Sequence, residues 1–481
     1  MNHPDRTRAL IVVFDALRPE FVTRDLMPNL HGFAARGVQY RNSRSTFPSE
    51  TRVNQSAVTT GCYPRRHGVV ANNFVAAGDD GPIVLGTGDD VAFEKALNAM
   101  PGPLLGVPTL GQRLAAAGMS YATVSAGTSG GGRLINIAGA ETGSFRFAMR
   151  RPEASLPAGI EKRIFETVGP LPGYARPAID WVRYAADCYL DFVEAEIRPD
   201  VMLLWLCEPD ETFHYKGIGS PESLQTITNA DAQFGRILAH HGESIAGGGM
   251  QVVAMSDHGQ IALDGEAIDL RAKFSGGGFD PDVLDIVVAN AGGVWLRGGG
   301  GVRVADIARW LQRQDWCGPV FTRDGAAGTL RLADLFVDHP RAPDIFLALA
   351  SNGEENAWGR EGRSLHASRY PAGGGCHGGL SRYEMHNVLA LCGSCFREGL
   401  ALDVAAGNVD ILPTLLHVLG PGEPEGIDGR VLHEALRETP DGQMQGVSEK
   451  TVSSSNASGK VTHLSVSEVD GTPYINHAWA E

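Results

Sequence analysis

The stretch that decides the fold is ALIVVFDALRPEF, residues 9–21. Six apolar residues, 9–14, stop abruptly at Asp15. An apolar run this short, bounded by a polar residue, reads as a buried strand. Runs of the same kind recur at 120–125, 201–206, 251–255 and 387–391. Helical patterns lie between them. Residues 107–118 open on a Pro-Thr signal and close at Gly118; 177–197 and 304–314 carry apolar residues at helical spacing; 409–419 ends at Gly420. Strands alternating with helices predict an α/β fold, a mostly parallel central sheet flanked by helices on both faces.

The rest of the chain bounds that reading. It has 481 residues, 43% hydrophobic and 20% charged, which is a globular composition. The 61 glycines and 27 prolines stay under the roughly 25–30% that marks low-complexity chains. With 41 basic against 56 acidic residues the net charge is −15, which argues against a nucleic-acid coat. No apolar run approaches the about 18 residues of a membrane span. The basic N-terminus has a short apolar run and no small-residue cleavage site, so no signal peptide is expected. Seven scattered cysteines fit reduced thiols, and a cytoplasmic location is expected. Residues 263–372 are glycine-rich, with GGG at 276–278 and GGGG at 298–301. They are expected to form an inserted cap or lid subdomain on a catalytic core of 1–262 plus 373–438. Residues 73–106 read as a second insertion or a long loop. Residues 439–481 read as a C-terminal tail of short strands, with SSSNASG as a turn. The sequence leaves the oligomeric state open.

Chemistry collects where the strands end. Asp15 follows the first strand. Asp210 and His214 lie just past MLLWL, in EPDETFH; Asp257 and His258 follow VVAM, in SDHG; His377 sits in CHGG before NVLAL. Open α/β sheets gather ligands outside the carboxyl ends of their strands, so these residues are expected to converge. Carboxylates with imidazoles suit Zn²⁺, and also Mn²⁺ or Fe. Asp210 and His214, four apart, share one face of a helical turn. The other histidines, including His240, His241 and His386, are expected to be structural.

A second segment, STFPSETRVNQSAVTTGCYPRRHGVVANNF (45–74), carries hydroxyls into a helical pattern that ends at Gly61. A hydroxyl at a helix N-terminus sits in a positive dipole beside free N–H groups. Read locally, Ser49 or Thr51 is a plain N-cap, with Glu50 and Arg52 as surface charges.

Six pieces together resemble the alkaline phosphatase superfamily, within it the nucleotide pyrophosphatase/phosphodiesterase branch. They are VVFDALRPEF, TRVNQSAVTTGCYPRRHGVVANN, EPDETFH, SDHG, CHGG and AGNVDILPTLLHVLG, in the family's order over roughly 9–420. The resemblance implies a nucleophilic Thr51, ten residues before Gly61. Thr46, in TFPS, mimics a branch motif but sits five residues off that spacing. Asn72 matches a residue that binds a phosphoryl oxygen, and His67 one that supports the site. Asp210, His214 and His377 resemble the ligands of one metal; Asp15, Asp257, His258 and Thr51 resemble those of another. Two divalent ions are implied, zinc first and Mn²⁺ as the alternative.

The implied reaction is hydrolysis of phosphate diesters or phosphoanhydrides through a phospho-threonine. The implied partner is a small phosphorylated or phosphonate substrate. Arg52 stands where the branch's diesterases carry Phe, and offers a fork for an anion. It either reads the substrate or pairs with Glu50 at the surface. A phosphomonoesterase or a phosphonoacetate-type phosphonate hydrolase is therefore the alternative, since the latter share the Thr-x-Val-Asn spelling of 51–54. A phosphoglycerate mutase-like isomerase would carry Ser and more carboxylate ligands. A sulfatase would need Cys-x-Pro-x-Arg. A non-catalytic relative would have lost a ligand. AGTSGGGRL (126–134) lacks the ending of a P-loop and reads as a turn. Cys392 and Cys395 form a C-x-x-C with no second pair, read as coincidence.

Overall fold

Eight strands form the central sheet of the computed structural model, which describes residues 6–78, 81–297, 303–422, 424–440 and 446–481. In chain order they are β1 (Arg8–Phe14), β2 (Val38–Arg44), β3 (Tyr121–Ser125), β4 (Phe145–Ala148), β5 (Val201–Leu206), β6 (Met250–Met255), β7 (His386–Cys392) and β8 (Leu400–Gly407). Their spatial order is β8-β2-β7-β6-β1-β5-β3-β4. Neighbours pair in parallel except at β7, which runs antiparallel to both β2 and β6. Every residue of β3, β5 and β6 is buried. That is why they read as unbroken apolar runs: both faces of the sheet are covered. On β1, Leu10, Val12 and Phe14 join one core cluster while Ala9, Ile11 and Val13 join the other. The two-residue side-chain period of a strand splits them.

Three sheet strands escaped the sequence reading. β2 reads VQYRNSR, alternating buried and more exposed positions, and the first half of β8 is only partly buried. β4 is four residues long. None presents a continuous apolar run. The helix expected at 177–197 begins at Ile179 and continues from Asp187 as a π-helical stretch, Cys188–Ile197. The helix expected at 107–118 is Leu110–Ala116, closed by a capping box between Thr109 and Gln112. Residues 73–106 hold a hairpin (Asn73–Gly78 with Gly81–Gly86) and a helix, Asp90–Asn98.

Between 284 and 349 lies a separate five-stranded sheet with its own core, including Phe274, Val294, Leu311 and Leu347. GGGG at 298–301 falls outside the described residues. The last segment is no set of short strands. It is a three-stranded antiparallel sheet, Val447–Ser455, Val461–Val469 and Thr472–Ala480, with each strand nine residues long. SSSNASG does turn the chain between the first two. Tyr474 anchors the sheet: it is buried, and its hydroxyl donates to Asp410 Oδ2 at 2.9 Å. Among the described residues no helix is long and apolar enough to cross a membrane.

The glycine-rich segment at 126–134 is more than a turn. Thr128 caps a short helix, Ser129–Leu134, packed against the helix Thr51–Thr60. A Cβ on Gly130 would stand 2.0 Å from the Thr87 carbonyl oxygen, and one on Gly131 3.1 Å from the Gln55 amide. Small residues let the two elements touch. Gly130→Ala should therefore cost about 1–3 kcal/mol, seen as a lower urea midpoint.

His67 is fully buried and its Nδ1 accepts from the Val69 N–H at 3.1 Å. Burial, with the nearby His339 and Arg341, pushes its pKa down to about 3. The unfolded chain takes up this proton near pH 6.5, whereas the fold refuses it down to about 3. The fold is fully stable to this group above pH 6.5 and loses stability as pH falls below it, at up to about 1.4 kcal/mol per pH unit. His67→Asn should flatten that acid slope in urea titrations between pH 6.5 and 5.

Candidate metal centre and nucleophile

The carboxyl ends of β1, β5 and β6 meet at one edge of the sheet. Asp15 leaves β1, Asp257 and His258 leave β6, and Asp210 and His214 lie on the helix Asp210–Lys216 beyond β5. Because β7 is antiparallel, its beginning lies at this same edge. His377, upstream of β7, is delivered there too. All six residues predicted as protein ligands of the two centres therefore come together, in two groups. Asp210, His214 and His377 form one, and Asp15, Asp257 and His258 the other, each with its ligand atoms within 4.8 Å of one another. The His258 and His377 rings stack at 3.9 Å and join the groups.

Each imidazole is held in one tautomer. His214 Nδ1 faces Gly375 O at 2.7 Å, His258 Nδ1 faces Gly259 O at 2.9 Å, and His377 Nδ1 faces Ser49 O at 2.9 Å. A carbonyl only accepts, so each Nδ1 carries a proton and each ring turns its Nε2 into the cluster. Those nitrogens meet carboxylate oxygens: Asp210 Oδ1 lies 3.2 Å from His214 Nε2 and 3.5 Å from His377 Nε2. Asp257 Oδ2 and Asp15 Oδ1 lie 3.2 and 3.7 Å from His258 Nε2. Acceptors facing acceptors repel unless a cation or a proton stands between them.

The remaining contacts sharpen this imbalance. Trp205 Nε1–H donates to Asp15 Oδ2 at 2.8 Å, and the Ala16 N–H to Asp257 Oδ1 at 3.1 Å. The other oxygen of each, Asp15 Oδ1 and Asp257 Oδ2, is buried with no donor. Burial, with the neighbouring carboxylates, raises the pKa of Asp15, and burial raises that of Asp257. Burial works against the charge of Asp210 too, yet the contact with His214 holds its carboxyl below the usual range. Burial also opposes a proton on His214, but Asp210 outweighs it. His377 is driven well down, by burial and then by His258. A proton on His214 relieves one contact and leaves Asp15 Oδ1 and Asp257 Oδ2 without a donor. The donor set, hard carboxylate oxygens with neutral imidazole nitrogens, fits divalent cations of the zinc or manganese kind.

Thr51 is the first residue of the helix Thr51–Thr60, which ends on the left-handed Gly61 (φ 68°). Its Oγ1 lies 3.1 Å from His258 Nε2. Neither Ser49 nor Thr51 caps the helix: the N-cap is Glu50, and it makes no side-chain cap. The Arg52 N–H instead donates to Asn72 Oδ1 at 2.9 Å. With Oδ1 so engaged, the Asn72 amide presents Nδ2 as a donor, and Asn72 lines the same cavity as Thr51, Asp15, Asp210, His214 and His377. Thr46 is elsewhere: its backbone is clasped by Asn54, at 2.7 and 3.1 Å, and it does not line that cavity. No hydrogen bond or ion pair joins His67 to a ligand among the described residues.

Several supports had no signal of their own. Ser49, weighed as a cap, holds the His377 loop: it accepts from the Gly378 N–H at 3.0 Å and donates to Gly379 O at 2.8 Å. Glu50 accepts the Asn72 N–H, and burial raises its carboxyl to about 7. Gln260 donates to Asp210 Oδ1 at 2.6 Å, and Tyr370 stacks on His214 at 3.8 Å. Asn408, inside AGNVDILP, donates to Asn54 Oδ1 at 2.8 Å and to Asp257 O at 2.6 Å, tying the nucleophile helix to the ligand loop. His240 and His241, read as structural, lie with Glu194 in a third carboxylate–imidazole group. There Arg8 already pairs with Glu194, and the Tyr189 hydroxyl meets His241 Nε2 at 2.7 Å. Cys392 and Cys395 are both free thiols.

Similarity to known proteins agrees with the site. Venom phosphodiesterase 2 of Crotalus adamanteus is 24% identical over 249 residues, 52% of this chain and 26% of that protein. A bis(5'-adenosyl)-triphosphatase of Xenopus laevis is 34% identical over 70 residues, 15% of this chain and 16% of that protein. An uncharacterised pyrophosphatase/phosphodiesterase of Schizosaccharomyces pombe is 30% identical over 96 residues, 20% of this chain and 17% of that protein. The matches cover about a quarter or less of these relatives' own length. Residues 9–309, which carry Asp15, Thr51, Asn72, Asp210, His214, Asp257 and His258, match the model of one family throughout, and the chain belongs to it: type I phosphodiesterase / nucleotide pyrophosphatase.

Proposed function

We propose that this protein is a two-metal hydrolase of phosphate diesters or phosphoanhydrides that works through a phospho-threonine on Thr51. The observation that carries this reading is the position of Thr51 Oγ1, 3.1 Å from His258 Nε2, in a cavity of about 830 Å³ lined also by Asp15, Asp210, His214 and His377. Family membership and the names of the relatives support it. Asp15, Asp257, His258 and Thr51 would hold one ion, and Asp210, His214 and His377 the other. When bound, such ions supply Lewis acidity: they ease deprotonation of a hydroxyl and offset charge on a phosphoryl group.

The chain's own residues do the rest. The helix N-terminus presents Thr51 Oγ1 to phosphorus. The Oγ1–P bond forms as the P–O bond to the leaving group breaks, and the Thr51 proton passes to solvent. Asn72 Nδ2 donates to a phosphoryl oxygen as charge shifts onto it. Water then cleaves the Oγ1–P bond and returns Thr51. Residues 286–289 of the second sheet's strand and 367–370 line the cavity, so the segment 263–372 would act as its cap. The cytoplasmic placement stays part of this proposal and rests on seven free cysteines.

Thr51→Ala should lower kcat at least about a thousandfold, as loss of a nucleophile does, while zinc binding persists. Activity surviving in Thr51→Ala but lost in Thr46→Ala would move the nucleophile. Ser49→Ala removes the hydroxyl that holds the His377 loop. It should weaken zinc affinity about tenfold or more, read by competition with a chromogenic chelator. Turnover of bis(p-nitrophenyl) phosphate by zinc-loaded protein should vanish with chelator and return with Zn²⁺.

A further inference from the structure

Arg52 is 9% exposed, and its guanidinium makes no hydrogen bond or ion pair among the described residues. Its Nε is buried without an acceptor. A buried arginine is normally paired, because an unanswered charge taken from water is costly. The carboxylates that feel its charge, Asp15 and Glu50, do not reach ion-pair distance. Both are committed elsewhere, Asp15 to its ligand group and Glu50 to the Asn72 N–H. The guanidinium lies in the cavity that holds Thr51, beside Gly88, where a Cβ would come 3.9 Å from Nη2.

Arg52 does not stand alone. Thr128, across the cavity, accepts the Gly131 N–H at 3.3 Å, which leaves its hydroxyl proton free to donate. The wall beside Thr51 thus holds a guanidinium and a hydroxyl, both short of acceptors. A neutral ester substituent would bury these groups unanswered, whereas an oxyanion answers them with charge-assisted bonds.

We propose that Arg52 and Thr128 form a subsite for a second negative charge on the substrate, beyond the single charge of a phosphate diester. The subsite rests on the hydrolase reading above and names the substrate class of the same cavity: a phosphoryl compound with a further oxyanion. That oxyanion is a carboxylate on the substituent or the second charge of a monoester.

The test compares kcat/KM for methyl p-nitrophenyl phosphate, 2-carboxyethyl p-nitrophenyl phosphate and p-nitrophenyl phosphate. It uses the zinc-loaded wild type, Arg52→Met and Arg52→Lys. The wild type should favour one of the doubly charged esters over the methyl ester by about tenfold or more, the range of a charge-assisted contact. A lead for the carboxyethyl ester places the charge on the substituent; a lead for p-nitrophenyl phosphate places it on the phosphoryl group. Arg52→Met should erase the preference and Arg52→Lys should keep part of it. A wild type that favours the methyl ester, or a preference that survives Arg52→Met, overturns the subsite. Silence on all three esters would overturn the hydrolase reading instead. The subsite is then judged by calorimetric binding of 3-phosphonopropionate against ethylphosphonate. A roughly tenfold gap in Kd that closes in Arg52→Met upholds it; equal Kd values in the wild type overturn it.

Discussion

The structure turns on acceptors that face acceptors. At one sheet edge, two buried carboxylates and the half-buried Asp210 confront three imidazoles whose Nδ1 protons are spent on backbone carbonyls. Left to itself, this arrangement buries charge without compensation, which folded chains avoid. A divalent cation in each group would convert the repulsion into coordination. Other features at the edge follow from holding that geometry: Ser49 on the His377 loop, Gln260 on Asp210, Trp205 on Asp15 and Asn408 on the loop of Asp257.

The sheet explains how so scattered a set converges. Three ligand segments arrive from the carboxyl ends of parallel strands, which is where such sheets collect ligands. His377 arrives differently. It precedes β7, and only because β7 is antiparallel does its beginning share the edge with the ends of β1 and β6. Thr51, the proposed nucleophile, comes from the far side of β7, after β2, at the N-terminus of a helix that meets His258. That helix is approached closely at Gly131, where a Cβ would crowd Gln55, while Gly130 lets the same neighbour meet the Thr87 backbone.

Much of this was legible in the sequence. Five sheet strands were visible because burial on both faces makes a strand apolar throughout, and a polar residue marks its end. The six candidate ligands were visible because they stand just past those ends or, for His377, just before one. β2 and β8 were hidden by partial exposure, and β4 by its length. The tail was underread because its strands alternate polar and apolar residues, and its anchor is a tyrosine hydroxyl bonded to Asp410. The supports Glu50, Gln260 and Tyr370 gave no signal, since each acts by spatial contact with a residue far away in the chain. His67 is the reverse case: it sits in a recognisable motif, yet among the described residues its ring bonds only within its own turn.

The most direct test of the cation account is a metal count. Protein freed of metal by chelator, then dialysed against Zn²⁺, is analysed by inductively coupled plasma mass spectrometry alongside Asp257→Asn and Asp210→Asn. Two zinc ions per chain in the wild type, about one in each variant, and a higher melting temperature with metal are the predicted result. A wild type that binds no zinc, or variants that bind as much as the wild type, would contradict it.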